Sequence, residues 1–419
     1  MDAGLIYYKG LYHLFYQYNP KGAVWGNIIW AHSVSTDLIH WVALQPAIYP
    51  TRPFNVNGCW SGSATLLPNG VHVIMYTGID PHKNQVQNAA HLRLVVGSKK
   101  NMSGIAVLYR SRDFKKGVKA HHSLHTGLTG MWECPDFYPV AVAGGSRHHQ
   151  SGVDTAELHD RVVAEEVKYV LKVSLELTRY DYYIVGTYDY DKDRYTPDRA
   201  FPDNDYGLRY DYGDFYASKS FFDPAKKRRV LWGWVNESDT VTDDRQKGWA
   251  GIQAIPRKIQ WPVEEVKSLR SKHVNVSNKA VKGGEYFEVT GFKSVQSDVD
   301  APFTIRNLDK AEKFDPAWRT DAPRGYARSS TRTPTFAGFV NVDIAKTKKI
   351  ALRALIDHSV AESFGAGGKT CVLTRVYPRK AIGDDAHLFV FNNGESDIKV
   401  INLHAWEMKT PTMNKLLEQ

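Results

Sequence analysis

A chain of 419 residues, 42% hydrophobic and 12% aromatic, is long enough to bury two cores, so two domains are expected. Its three cysteines make no disulfide framework and no CxxC or Cys/His zinc spacing, and no run of about 20 apolar residues offers a membrane helix. The net charge of +9 comes from scattered Lys and Arg with short clusters at Lys226-Lys227-Arg228-Arg229 and Lys346-Thr347-Lys348-Lys349, which fit solvated loops or contact with an acidic polysaccharide and not a nucleic-acid stripe. Met1-Asp2-Ala3-Gly4 lacks the charged and apolar regions of a signal peptide.

The first two thirds read as strands, with aromatic and β-branched runs bounded by Gly, Pro, Asn and Asp. Five runs are predicted as equivalent inner strands: Tyr12–Tyr16, Val73–Tyr76, Leu92–Val96, Val170–Val173 and Val230–Trp234. Five such units suggest a β-propeller. A repeated Ser-x-Asp-apolar turn at Ser35–Leu38 and Ser111–Phe114 agrees with this. Leu14 to Ile74 spans 60 residues, Leu94 to Leu171 spans 77 and Leu171 to Leu231 spans 60, each enough for a four-stranded blade. Ile74 to Leu94 spans only 20, too few for four strands of ordinary length. A segment is therefore predicted to be missing between Ala89 and His91, leaving the second or third blade incomplete.

Beyond Gln260-Trp261-Pro262 the pattern shifts to short alternating strands at Glu285–Val289, Gly338–Asp343, Lys349–Arg353, Cys371–Val376 and His387–Phe391, as in an antiparallel β-sandwich. The expected division is a propeller over residues 1–258 and a sandwich over 259–419. The Arg-, Pro- and Ser-rich stretch 315–334 breaks the alternation and marks a shortened second domain.

In Met131-Trp132-Glu133-Cys134-Pro135-Asp136 a single Glu lies among apolar neighbours. An apolar wall disfavours the ionised carboxylate, which would make Glu133 a proton donor; a Glu capping the turn before Pro135 is the alternative. The doublets His121-His122 and His148-His149 have no helical spacing or carboxylate partner, so no metal site is expected.

Six motifs occur in order: Tyr12–Pro20, Val24-Trp25-Gly26-Asn27, Trp60-Ser61-Gly62-Ser63-Ala64-Thr65, Trp132–Asp136, Arg209-Tyr210-Asp211-Tyr212-Gly213 and Ser359–Phe364. Together they resemble plant glycoside hydrolase family 32, the cell-wall invertases and similar fructan exohydrolases, over nearly the whole chain. The resemblance implies a five-bladed propeller followed by a β-sandwich, with the site in the propeller's central pocket. It implies retaining hydrolysis of terminal β-D-fructofuranosides such as sucrose, without a cofactor. Two carboxylates about 5–5.5 Å apart serve such a mechanism as nucleophile and acid/base.

By that resemblance Glu133 is the acid/base, and Asp2 becomes the nucleophile when a one-residue deletion is allowed before Tyr7. Gln17, Trp25, Trp60 and Ser61 match residues around the fructose, and Glu176 and Arg179 fall where the family holds the second sugar. Asp211 is expected to fix the pocket wall. The family's Arg-Asp-Pro motif, which stabilises the transition state, is absent, and its place falls in the missing segment. Sequons at Asn101, Asn236 and Asn275 fit an extracellular, cell-wall protein. Two functions follow: an invertase or fructan exohydrolase, or a catalytically impaired relative that binds sugar or regulates a partner.

Overall fold

The structure, a computed structural model, describes residues 3–66, 72–88, 93–111, 117–141, 167–199, 208–259, 261–305, 307–309, 336–338, 340 and 342–414. Asp2, His148, His149 and the stretch 315–334 lie outside the described residues.

Five antiparallel sheets succeed one another. The first holds β1 (Ala3–Tyr8), β2 (Leu11–Tyr18), β3 (Ile29–Ser35) and β4 (Val42–Ile48) in chain order. The second holds β5 (Cys59–Leu66), β6 (His72–Ile79) and β7 (Gln85–Asn88). In the third, β8 (Arg93–Lys100) pairs with β9 (Ser103–Ser111), whose other edge is shared by β10 (Gly117–Lys119) and β11 (His125–Gly127). The fourth runs β12 (Trp132–Ala141), β13 (Val167–Leu175), β14 (Asp181–Asp189), β15 (Arg194–Pro197). In the fifth, β16 (Phe215–Asp223) pairs with β17 (Arg228–Val235); helix α1 (Val241–Lys247) leads to β18 (Ile252–Gln253) and β19 (Arg257–Lys258) on β17, and β20 (Trp261–Pro262) closes the edge. The leading strands lie side by side, β5 by β1, β1 by β16, β16 by β12 and β12 by β8. This is a five-bladed propeller.

The five apolar runs fall on β2, β6, β8, β13 and β17. Except for β8 these are second strands, not the inner ones expected. A second strand has a neighbour on both edges and a blade on both faces, so it reads as one apolar run. In β13 every residue from Tyr169 to Leu175 is buried. The inner strands carry Ser61-Gly62-Ser63 and Glu133-Cys134 instead, because they border the axis. Among the described residues the second sheet has three strands, and β8 stands first in its own sheet where the other blades place such a run second. Among the described residues the short interval before β8 thus leaves the second sheet one strand short of four and places β8 at the edge of its own.

The second domain has a six-stranded sheet in the order β21-β28-β23-β24-β25-β26, built from β21 (Arg270–Val281), β23 (Gln296–Ile305), β24 (Lys349–Asp357), β25 (Val360–Gly365), β26 (Thr370–Arg375) and β28 (Ile398–Met408). Facing it are β22 (Tyr286–Glu288) and β27 (Phe389–Phe391), with Val281, Phe292, Val299, Val400 and Leu403 in the core. The strand expected over Gly338–Asp343 is not there among the described residues. Asp343 instead caps the short helix α2 (Ile344–Thr347), accepting from the Lys346 backbone N–H at 3.0 Å.

The two domains are joined through a buried ion triad. The fully buried Arg257 donates to Asp211 Oδ2 at 2.9 Å and to Glu362 Oε2 at 3.1 and 2.6 Å. Asp211 also accepts from the backbone of Gly213 at 2.6 Å and Leu373 at 2.9 Å. Asp211, expected to fix the pocket wall, thus ties the propeller to the sandwich. Gly213 is required here, since a Cβ would lie 1.8 Å from the Leu373 carbonyl oxygen.

Removing one partner of a buried ion pair leaves charge uncompensated, at a cost of about 3–5 kcal/mol. Arg257→Met, stranding two carboxylates, should lower stability by about that amount in denaturant unfolding. A loss below about 1 kcal/mol, the value of an exposed pair, would show that the triad does not hold the junction.

Candidate active site

Trp132 is fully buried between the third and fourth sheets, and its indole N–H donates to Thr129 Oγ1 at 2.7 Å. A Cβ on Gly104 would come within 2.2 Å of that ring, and one on Gly97 within 2.2 Å of the Trp132 carbonyl oxygen. These two glycines let β9 and β8 close on β12 and fix where the next residue, Glu133, begins.

Immediately after Glu133 the strand bulges. Glu133 pairs with Ser174 and Asp136 with Lys172, so Cys134 and Pro135 face a single residue of β13, and Cys134 has φ 46°. On β16 a matching bulge lies between Tyr216 and Lys219, with Ala217 at φ 52°. A non-glycine residue in the left-handed region costs on the order of 1–3 kcal/mol, so both bulges must be held by their surroundings. The Lys219 ammonium donates to the Pro135 carbonyl at 2.5 Å, and Asp136 accepts from the Ser220 backbone N–H at 2.8 Å and hydroxyl at 2.6 Å.

Between the bulges the Tyr216 hydroxyl donates to Glu133 Oε2 at 2.5 Å. Burial, and then the neighbouring Glu133 carboxylate, push the Tyr216 phenol far above its ordinary pKa, so it remains a donor over the whole working range of pH. Arg179, in the turn after β13, places a guanidinium nitrogen 3.9 Å from the same oxygen and lies 5.1 Å from the Tyr216 ring centre. The expected apolar wall around Glu133 is thus corrected. Trp132 faces the core, and the carboxylate, about one third exposed, meets a phenol and a guanidinium. Glu176 lies in the same turn, its backbone N–H on the Met131 carbonyl at 3.3 Å.

Trp25 and Trp60 form a second cluster, edge to face at 5.7 Å, with Trp25 60% exposed. Trp60 and Ser61 form the bulge of β5, and the Trp60 carbonyl accepts from the Trp30 indole at 3.0 Å. Gln17 is buried on β2 opposite Trp30, and its Nε2 has no hydrogen-bond partner among the described residues. Of the sequons, Asn101 is exposed in the β8–β9 turn and Asn275 is exposed on β21, whereas Glu237, next to Asn236, is buried against Arg375 and Tyr377 at the junction.

Glu237, Asp239 and Asp244 bring carboxylate oxygens within 4.8 Å of one another, but the Lys247 ammonium sits among them at 3.1, 2.6 and 3.1 Å. The position a cation would take is filled by the chain's own. The His122 ring is engaged with the carbonyls of Ser123 and Lys192 at 3.2 and 3.0 Å.

Tyr216 and the buried Lys172 escape a reading of the sequence by motif. The signal for Lys172 is present: a lysine inside the apolar run Val170-Leu171-Lys172-Val173 must be buried and therefore paired.

Comparison with known proteins places this geometry. The description Glycosyl hydrolases family 32 N-terminal domain matches residues 2–93 and 87–273, and Glycosyl hydrolases family 32 C terminal matches 265–407. The chain belongs to glycosyl hydrolase family 32. It is 62% identical to beta-fructofuranosidase, insoluble isoenzyme 3, of Oryza sativa subsp. indica, across 98% of this chain and 89% of the relative. It is 47% identical to the beta-fructofuranosidase cell wall isozyme of Zea mays, across 98% of this chain and 88% of the relative. The crystal structure of fructan 1-exohydrolase IIa from Cichorium intybus matches with a TM-score of 0.87 at 36% identity, covering 98% of this chain and 95% of that one. The alignment to the rice relative extends over 520 positions, whereas this chain has 419 residues, so whole segments of the relative have no counterpart here. The split of the N-terminal match at 87–93 falls on the short interval before β8.

A hydrogen bond to a charged group contributes about 1.5–3 kcal/mol. Tyr216→Phe should therefore lower kcat/KM about tenfold or more and move the alkaline limb of the pH–rate profile upward, since the ionised form of Glu133 loses a donor. An unchanged profile would show that Tyr216 does not act on Glu133.

Proposed function

We propose that this chain hydrolyses terminal non-reducing β-D-fructofuranosides, sucrose or short fructans, with Glu133 as the acid/base. The observation that carries this reading is the Glu133 carboxylate held between Tyr216 and Arg179 on the innermost strands. A partly exposed carboxyl group so placed can protonate a leaving oxygen and then activate water, and Arg179, with Glu176 in its turn, can hold the second sugar. Trp25, Trp60 and Ser61 offer a face for the fructose ring, and the Gln17 amide a donor for a hydroxyl. Asp2 is assigned as nucleophile on its place in the family motif. No cofactor is called for by this two-carboxylate chemistry.

The division is placed at 258/259, a few residues before the sheet changes between β20 and β21. Relatives named as cell wall or insoluble isoenzymes, together with the sequons at Asn101, Asn236 and Asn275, support an extracellular, cell-wall place. The net charge of +9 suits retention on acidic polysaccharide.

One observation favours a slow enzyme that retains sugar binding. Among the described residues no strand precedes β8 in its sheet, at the split of the N-terminal match, and the resemblance puts the Arg-Asp-Pro carboxylate there. Losing a group that acts only in the transition state lowers kcat while ground-state binding survives.

The test is fructose release from sucrose and 1-kestose by the purified chain beside Glu133→Gln. Release below about 1 s⁻¹ is expected, at the low end for enzymes, with a further fall of about 10²–10⁴ in the variant. Equal release by both proteins would remove Glu133 from the chemistry, and turnover above about 10 s⁻¹ would show that the missing carboxylate is not needed.

A further inference from the structure

We propose that Lys172, with Asp181, is a positioning residue for the catalytic pair Glu133 and Tyr216. Both side chains are fully buried, one on β13 and one at the start of β14, beneath the strands that carry the pair. The Lys172 ammonium donates to the Cys134 carbonyl at 2.8 Å, to the Ser218 carbonyl, and to Ser174 Oγ at 3.3 Å. An ammonium has three hydrogens, and here each has an acceptor.

The acceptors matter because of where they lie. Cys134 directly follows Glu133, and Ser218 follows the left-handed Ala217 that comes after Tyr216. One buried cation therefore clamps both bulges, at the single place where each strand leaves its regular register. Asp181 completes the clamp: its carboxylate lies 3.6 Å from the ammonium and accepts from the Ser218 backbone N–H at 2.9 Å. The separation of Glu133 from Tyr216 is thereby set by backbone carbonyls fixed to a common point below them. Loop-borne side chains would hold it less tightly.

This inference rests on the acid/base reading of Glu133, but it also makes a claim about the bulge that needs no turnover. Cys134 sits in the β12 bulge and is partly exposed, whereas Cys59 and Cys371 are buried. Thiol reactivity of Cys134 therefore reports the bulge, and protection of the other two reports the fold.

Lys172→Met alone would strand the Asp181 charge, so the test uses the charge-matched pair Lys172→Met with Asp181→Asn. Alkylation by iodoacetamide, located by mass spectrometry, should speed or slow about tenfold or more at Cys134, with Cys59 and Cys371 still protected. Turnover should fall about 10- to 100-fold with KM for 1-kestose moving less than about threefold, as expected for misplacement by roughly 1 Å. In the Glu133→Gln background the same pair should cause no further loss, because its effect passes through Glu133. If the pair does not fold, Ser174→Ala removes one acceptor with charges balanced, and a Cys134 change of about threefold or more is then expected. Unchanged Cys134 reactivity in a folded variant overturns the clamp. An additive loss in the Glu133→Gln background, with Cys134 altered, overturns its action through Glu133, and absence of measurable turnover in the parent would count against the acid/base reading alone.

Discussion

The structure turns on a cation buried where the two domains meet. Arg257 is sealed from water, and its charge is tolerable only because Asp211 comes from the propeller and Glu362 from the sandwich, each further tied to backbone N–H groups. Neither domain satisfies the guanidinium alone, so the triad specifies how the sandwich docks. The guanidinium also lies 4.5 Å from the Phe215 ring centre, and the next residue along β16 is Tyr216, the donor to Glu133. The junction and the acid/base cluster therefore share one strand.

That arrangement explains how a chain lacking whole segments of its relatives keeps a coherent site. Propeller blades pack face to face, so the loss of edge strands near β7 and β8 does not unpair the fourth and fifth sheets. On the other side of the gap, β8 still lies against β12, with Gly97 and Gly104 leaving room for the Trp132 backbone and ring. Glu133 and Tyr216 stand on β12 and β16, beyond the short interval, whereas the resemblance puts the Arg-Asp-Pro carboxylate within it.

The sequence made much of this legible. The propeller is legible in five spaced apolar runs, and the short interval from Ile74 to Leu94 lies beside the sheet that has three strands among the described residues. The runs expected to be inner strands are mostly second strands, because apolar continuity marks the strand enclosed on all sides. Asp211, between Tyr210 and Tyr212, is expected at the pocket wall; its partner Arg257, 46 residues away, ties it to the domain junction. The polar surroundings of Glu133 are not legible in its own stretch of sequence. Apolar neighbours in sequence point to the core or into a bulge, and the groups that touch the carboxylate come from the next blade, Tyr216, and from a distant turn of its own, Arg179. Lys172 and Tyr216 carry no motif, since their roles depend on two bulges that periodicity does not reveal.

The central claim is that Glu133 stands ready to protonate a fructoside's leaving oxygen in a site that survives the missing strand. A crystal structure of Glu133→Gln soaked with 1-kestose tests it most directly. The expected result is a fructosyl ring against Trp60 with its glycosidic oxygen about 3 Å from the residue 133 amide, within reach for proton transfer, and Arg179 on the second sugar. A sugar seated away from residue 133, or a pocket that excludes the ligand at concentrations saturating for the relatives, would contradict it.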